Sequence, residues 1–410
     1  MADRWFYAVG EERRGPVEKD EVLKMIADGR LRRTTLVWTR SLTDWAPAGE
    51  LAELKDAGWP APRGEDTVPT VPKKKMAAAK PSPSAGQILH GIGKKISDFA
   101  DLPTISRMPV RQILIGGLSR PTKAEEMEET FAVGTPSTTP PLSAVEDGWP
   151  TPRVFWRVLL GAIGTYLLLR IGITEFKNPN FFPGLVVIGS FVVPLAVVIL
   201  FFELNTPRNV SVYQVGKLLL LGGALSLILT SVLLKALPGS GAGDLLPAML
   251  TGVLEETGKA LALLIVVGNM RYRWQLNGLL LGAAVGAGFA GFESAGYAFN
   301  LASSVDEALT MIHLRGILAP GGHVIWTAMI GSAIWKVKGD KPFQFGMLLA
   351  PVVIRRWVIA VVLHGLWDTA IRPPWIKWVV LSVAGWYIVL GIVTQALDEV
   401  AAAKKKAAAA

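Results

Sequence analysis

Phe181 to Phe202 reads FFPGLVVIGSFVVPLAVVILFF, 22 residues without a charge. About 20 apolar residues suffice for a helix to cross the hydrocarbon core of a bilayer. Working outward from this run, seven more apolar stretches of similar kind follow, near 154–174, 216–235, 245–267, 276–299, 314–335, 356–372 and 375–396. The stretch 154–174 is interrupted by Arg170, and 356–372 is short. Residues 151–400 thus read as an all-α polytopic membrane domain of about eight transmembrane helices, followed by a basic, alanine-rich tail at 401–410. The 410-residue chain has only 18% charged residues, below the roughly 25% usual in soluble domains. A single soluble enzyme is excluded. With no cysteine, disulfide frameworks, thiolate zinc sites and cysteine nucleophiles are excluded too.

The net charge of +9 does not call for nucleic acid. Basic residues gather in alternate loops: Arg208, then Arg271 and Arg273, then Lys336, Lys338, Lys341, Arg355 and Arg356, then Lys404 to Lys406. By the positive-inside rule this bias places both ends in the cytoplasm. Met1 to Asp20 has no apolar core of a signal peptide, which agrees. Residues 343–354 are apolar yet lie between basic clusters, as a half-buried re-entrant or interfacial segment would.

Residues 1–55 read as a small α+β soluble module. Trp5 to Val9 suits a strand, Gly15-Pro16 a turn, Glu18 to Asp28 a helix stopped by Gly29, and Thr34 to Thr39 a second strand. Trp5, Tyr7, Trp38 and Trp45 could form an aromatic peptide-binding platform, and equally the module's core. Residues 56–150 form a linker rich in Pro, Lys and Ser. Within it, residues 87–102 place Ile88, Leu89, Ile92, Ile96 and Phe99 on one side of an amphipathic helix.

Ionisable residues interrupt the later spans, where a charged side chain at mid-bilayer costs roughly 2.5–3.5 kcal/mol on insertion scales. The fourth span carries Glu255, Glu256 and Lys259. Glu255 and Lys259 share a helix face, Glu256 lies to one side, and Lys259 can offset one carboxylate. A second carboxylate beside a like charge in low dielectric is the setting in which such groups serve as general acid or base. The fifth span places Glu293 among small residues, with Gly278, Gly282, Gly286 and Ala290 recurring every four positions as a close-packing stripe. Gly286, Phe289, Glu293 and Tyr297 fall on one face, which turns the carboxylate toward a neighbouring helix. His323 lies in the sixth span. In the seventh, His364 and Asp368 share a face, so that the aspartate can fix the imidazole tautomer.

Two resemblances follow from these residues. The order of aromatic and turn residues across 4–54 resembles the bacterial GYF-type domain, which implies a proline-rich or extended peptide partner. The motifs E-E-x-x-K at Glu255–Lys259, F-x-x-x-E at Phe289–Glu293, G-G-H-x-x-W-T around His323 and H-x-x-x-D at His364–Asp368, in this order over about 245–370, resemble the PrsW family of intramembrane proteases. These are relatives of the CAAX-processing and bacteriocin-processing proteases. Ser294 stands where many relatives carry Asn, and it can still hydrogen-bond. The resemblance implies an endopeptidase of the bacterial cytoplasmic (inner) membrane, acting on membrane-anchored proteins such as anti-sigma factors. It implies Glu255 and Glu256 as acid/base residues, with Glu293 and His323 completing the site. Lys259 supports it, and His364 and Asp368 polarise the carbonyl or stabilise the oxyanion.

The cofactor stays open between none and a divalent metal such as zinc, since the H-E-x-x-H spacing of zinc peptidases is absent. If a metal is bound, Glu256, Glu293 and His323 are the expected ligands. Two other functions fit buried ionisable helices: a proton- or ion-coupled transporter, and a non-catalytic scaffold that binds partners through residues 1–55.

Overall fold

The computed structural model describes residues 4–9, 12–42, 44–60, 85–103, 111–117, 123–267, 271–300 and 304–409. Contacts divide the chain into two compact units, residues 1–82 and 83–410.

In the first unit, β1 (Trp5–Val9), β2 (Glu12–Val17), β3 (Leu36–Thr39) and β4 (Ala46–Pro47) form an antiparallel sheet in the order β2-β1-β3-β4. Helix α1 (Lys19–Ala27) lays Val22, Met25 and Ile26 on Trp5, Leu31, Val37 and Leu54. It stops where expected, with Gly29 in the left-handed region at φ 69°. One expectation is corrected. Gly15-Pro16 is no turn but lies inside β2, opposite a shift in register between Trp5 and Tyr7. An edge strand tolerates Pro at such an irregularity because no ladder bond is lost there.

The second unit is helical. Helix α2 (Ala85–Ala100) is the amphipathic segment expected at 87–102, and α3 (Ala124–Phe131) follows. The bundle proper consists of α4 (Val154–Thr174), α5 (Phe182–Leu204), α6 (Val212–Ala236), α7 (Leu245–Val267), α8 (Gln275–Asn300), α9 (Val305–Leu318), α10 (His323–Lys338), α11 (Pro351–Asp368) and α12 (Pro374–Ala408). Among the described residues six segments are long and apolar enough to cross a membrane: α4, α5, α6, α8, the α9–α10 pair and α12. Helices α7 and α11 have 23 and 18 residues, but each carries three charges.

Three spans differ from expectation; the eighth, expected at 375–396, continues as α12 to Ala408 and absorbs most of the expected tail. The sixth span, expected as one helix over 314–335, is broken at Ala319–Gly321. Pro320 has no N–H to continue a helix, and Gly322 takes a conformation outside the helical region before α10 begins at His323. The seventh, expected at 356–372, runs from Pro351 to Asp368, because Pro351 starts it and Thr369 turns extended. The apolar stretch 343–354 divides accordingly between a 3₁₀ turn, Phe345–Leu349, and the first turn of α11. Phe345 and Leu349 are exposed.

The centre of the bundle is the contact between α8 and α10. Their backbones meet along the glycine stripe: a β-carbon on Gly278, Gly282 or Gly286 would overlap carbonyl oxygens of Gly331, Thr327 or His323. Helix α4 is pinned to α5 by Glu203. Its carboxylate accepts the N–H groups of Arg153, Val154 and Phe155 at 2.6, 2.9 and 2.8 Å, satisfying donors that a helix start leaves free.

Candidate active site

Helix α7 turns its charged face inward. Glu255 is nearly buried, and Glu256 and Lys259 are fully so. The Lys259 ammonium donates to Glu255 Oε2 at 3.1 Å, to Glu256 Oε1 at 2.8 Å and to His323 Nδ1 at 2.8 Å. All three of its N–H groups thus have acceptors. The ammonium serves both carboxylates rather than one, because i,i+3 and i,i+4 neighbours are both in reach. It also lies 3.9 Å from the centroid of the Phe289 ring, a face attractive to cations.

His323 opens α10 directly after the Gly321–Gly322 break, so its ring projects from a helix start instead of packing along a helix side. With Nδ1 accepting from Lys259, Nε2 carries the proton and donates to Glu293 Oε2 at 3.1 Å. The same oxygen of Glu293 accepts from Arg315 Nη2. Arg315 Nε donates to Ser294 Oγ at 2.8 Å, the hydrogen bond expected of the serine at that position. The guanidinium also covers Tyr297, 4.5 Å from its ring centroid.

His364 stands among three carboxylates. Nδ1 is 2.9 Å from Glu256 Oε1. Nε2 is 3.4 Å from Asp368 Oδ2 and 3.6 Å from Glu255 Oε2. The closer bond, to Glu256, fixes the tautomer, a role that spacing along the helix suggested for Asp368. Trp326 stacks on the ring, centroids 4.7 Å apart, and holds its plane. Opposing glycines bring α7 against α11 here: β-carbons on Gly252 and Gly365 would crowd the Val361 carbonyl and Met249 respectively.

These groups converge on one cavity of about 760 Å³, walled by Glu255, Glu293, Arg315, His323, His364 and Asp368. Glu256 and Lys259 sit behind the wall. The loops after α6 and α11 close another side and are tied together: Gly243 N–H donates to Asp368 O at 2.9 Å, and Ala370 N–H to Gly243 O at 2.8 Å. Sequence reasoning missed Arg315. It lies at the start of the expected sixth span, two residues past His313, and on α9 it faces Glu293 and Ser294 of α8. The residues suggested for peptide binding in the first unit divide. Trp5 is core, 1% exposed, while Tyr7, Trp38 and Trp45 are half-buried. Phe6 pairs with Trp38 across the sheet, ring centroids 5.9 Å apart.

A divalent metal fits the cavity wall. Ligand atoms of Glu255, His323 and His364 lie within 4.8 Å of one another, and these donor types suit zinc. His364 is compatible with it: with Nδ1–H on the Glu256 carboxylate, Nε2 faces two further carboxylates, a grouping that either a metal ion or a proton on Nε2 would relieve. His323 joins such a set only if Lys259 or Glu293 yields one of its nitrogens. The grouping differs from Glu256, Glu293 and His323 because Glu256 lies behind His364, where its Oε2 is buried without a partner.

Comparison with known proteins places two parts of the chain in families. Residues 212–395 match the model of the PrsW family intramembrane metalloprotease, and residues 5–54 match that of GYF domain 2. No curated protein and no solved structure matches the chain.

Proposed function

Since residues 212–395 are a PrsW-family intramembrane metalloprotease domain, a peptidase, preceded by a GYF domain 2, we propose that the chain cleaves membrane-anchored proteins at the α7–α8–α10–α11 cavity. The observation that carries this is the convergence of Glu255, Glu293, His323 and His364 from four helices on one cavity wall. Glu255, His364 and His323 would hold the metal, which supplies Lewis acidity to polarise the scissile carbonyl and the attacking water.

The chain's own residues do the rest. Glu255 engages Lys259 through Oε2, which leaves Oε1 to hold the metal or, in the metal-free reading, to accept the proton of a water in the cavity. Glu256 orients His364 and, with Lys259, balances the charge behind the wall. Glu293 holds His323 and Arg315 in place. Arg315 spends Nε and Nη2 on Ser294 and Glu293 and presents Nη1 to the negative charge that develops on the carbonyl oxygen. The basic loops face the cytoplasm of a bacterial inner membrane, and the N-terminal unit recruits a proline-rich or extended peptide.

The test is cleavage of a single-span reporter by purified protein. Glu255→Gln and Glu256→Gln each abolish cleavage while the protein still inserts and melts cooperatively. Undiminished turnover in both rejects the assignment. Removing metal with a chelator abolishes cleavage, and stoichiometric zinc restores it. A chelated, metal-free protein that still cleaves excludes the metal part alone.

A further inference from the structure

A second cleft, of about 740 Å³, lies where α7 and α10 end, at the basic end of the bundle. Leu261, Leu264 and Ile265 from the last turns of α7 line it, with Phe343 and Phe345 from the connection between α10 and α11. Ile265 is 59% and Phe345 76% exposed. In a membrane protein at this level, such surface is covered by acyl chains.

The polar rim has the opposite character. Arg271, Lys338 and Lys341 line it. The acid among the lining residues, Asp340, pairs with Arg273 at 3.3 Å. Lys338 is only 3% exposed. Its ammonium donates to the carbonyls of Tyr272 at 2.9 Å and Gly339 at 3.0 Å; among the described residues no carboxylate comes within ion-pair distance, and Asp340, already paired with Arg273, offsets its charge only from farther away. A buried cation without a close counter-charge is costly, and the cleft is where an anion would relieve it. Arg271 meets the Tyr272 hydroxyl at 3.4 Å and its ring at 5.1 Å. Lys341 is exposed and forms no ion pair among the described residues.

We propose that this cleft binds an anionic phospholipid. Its phosphate sits between Arg271, Lys338 and Lys341, and one acyl chain runs along Leu261–Ile265 and Phe345. Basic pockets between helices at a membrane boundary select anionic headgroups in this way. The site is separate from the peptidase cavity and does not depend on how that cavity works. It bears on it through α7, whose Leu261 follows Lys259 by two residues, so an occupied cleft steadies the helix that presents Glu255.

The experiment uses the full chain in detergent, titrated with dioleoyl phosphatidylglycerol, dioleoyl phosphatidylcholine or inorganic phosphate, and read by native mass spectrometry and thermal melting. Wild type retains phosphatidylglycerol and melts higher with it, but not with phosphatidylcholine. In Arg271→Gln/Lys341→Gln the affinity falls about 30-fold, as expected for two basic residues at a headgroup. Arg271→Lys/Lys341→Arg, which keeps both charges, restores it and separates lost charge from lost fold. Lys405→Gln/Lys406→Gln removes the same charge from the exposed tail and leaves binding intact. Equal loss in the two charge-removing doubles, equal retention of the two lipids, or inorganic phosphate protecting as well as phosphatidylglycerol would each overturn the proposal.

Discussion

Arg315 shows how a charge survives in a membrane helix. Each of its partners, Glu293, Ser294 and the Tyr297 ring, comes from α8, so desolvation is offset by charge-assisted bonds. Arg315→Met removes a donor at the reacting carbonyl and strips Glu293 of its guanidinium. Reporter kcat is expected to fall about 100-fold, in the range for losing one oxyanion donor, with KM little changed. Arg315→Lys keeps the charge but not the fork geometry and recovers part of the loss. A kcat that stays at the wild-type value in Arg315→Met would show that the guanidinium only packs. At this scale the sequence was partly legible. Glu255, Glu256, Lys259, Glu293, His323, His364 and Asp368 stood out because ionisable groups are costly among apolar neighbours. Their pairing did not stand out. Helical spacing relates residues of one helix, as with Glu255 and Lys259, but the bonds from Lys259 to His323 and from His364 to Glu256 cross helices. Trp5 illustrates a different ambiguity: it lies on a strand with aromatic residues on either face, Trp5 and Tyr7 on one and Phe6 on the other, so composition alone cannot tell core from surface.

Among the elements, α8 and α10 decide where the site's imidazole stands. The four-residue glycine repeat was legible as a packing stripe, and it packs against α10 as such stripes do. The break that frees His323 was not foreseen, although Pro320-Gly321-Gly322 carries its signal. The apolar run 314–335 hid a proline whose ring cannot continue a helix. Gly286 is the position where stripe and site meet, since any β-carbon there presses on the His323 carbonyl. Gly286→Ala is therefore expected to destabilise by about 1–3 kcal/mol, the usual penalty of overpacking, and to reduce turnover by displacing His323 from Glu293. Gly161 on α4 has nothing within 4 Å of its would-be β-carbon. Gly161→Ala should be neutral or stabilising by up to about 1 kcal/mol, because only helix propensity changes. Melting curves of the two variants side by side check the contrast. A Gly286→Ala protein as stable and active as Gly161→Ala would refute close packing as the device that positions His323.

At the scale of the whole molecule, the division near residue 82 separates a sheet with its own core from a helical unit that reaches back into the linker. Helix α2 belongs to the second unit. Ser97 Oγ lies 3.2 Å from the Tyr387 hydroxyl on α12, Gln395 Nε2 donates to Asp101 O at 2.8 Å, and Lys336 Nζ meets Asp101 Oδ2 at 2.7 Å. Ala100 and Leu102 join the bundle core. The amphipathic pattern of 87–102 was legible, but not that the bundle would take up part of its apolar face, because that depends on α12 and α10 far along the chain. The Lys336 ammonium holds the Asp101 carboxyl below its usual range. A carboxylate depressed in the folded state stabilises above its unfolded pKa of about 4, and loses that contribution as pH falls through the lower folded value. Asp101 is about half-exposed, so the ion pair is the minor part of the docking and buried apolar contact the major one. Two truncations follow from this. Removing residues 1–60 takes away the sheet unit alone; the remaining chain should melt at the wild-type temperature and cleave a reporter that needs no recruitment at the wild-type rate. Removing residues 1–103 also strips α2 from α11 and α12, exposing the surface that Ser97, Ala100 and Leu102 cover, and should lower the melting temperature at neutral pH. The gap between the two truncated proteins should persist at high salt, since little of it is ionic. If both melt alike, α2 lies on the bundle without stabilising it. If the shorter deletion already lowers the melting temperature, the two units depend on each other in a way their separate cores do not require.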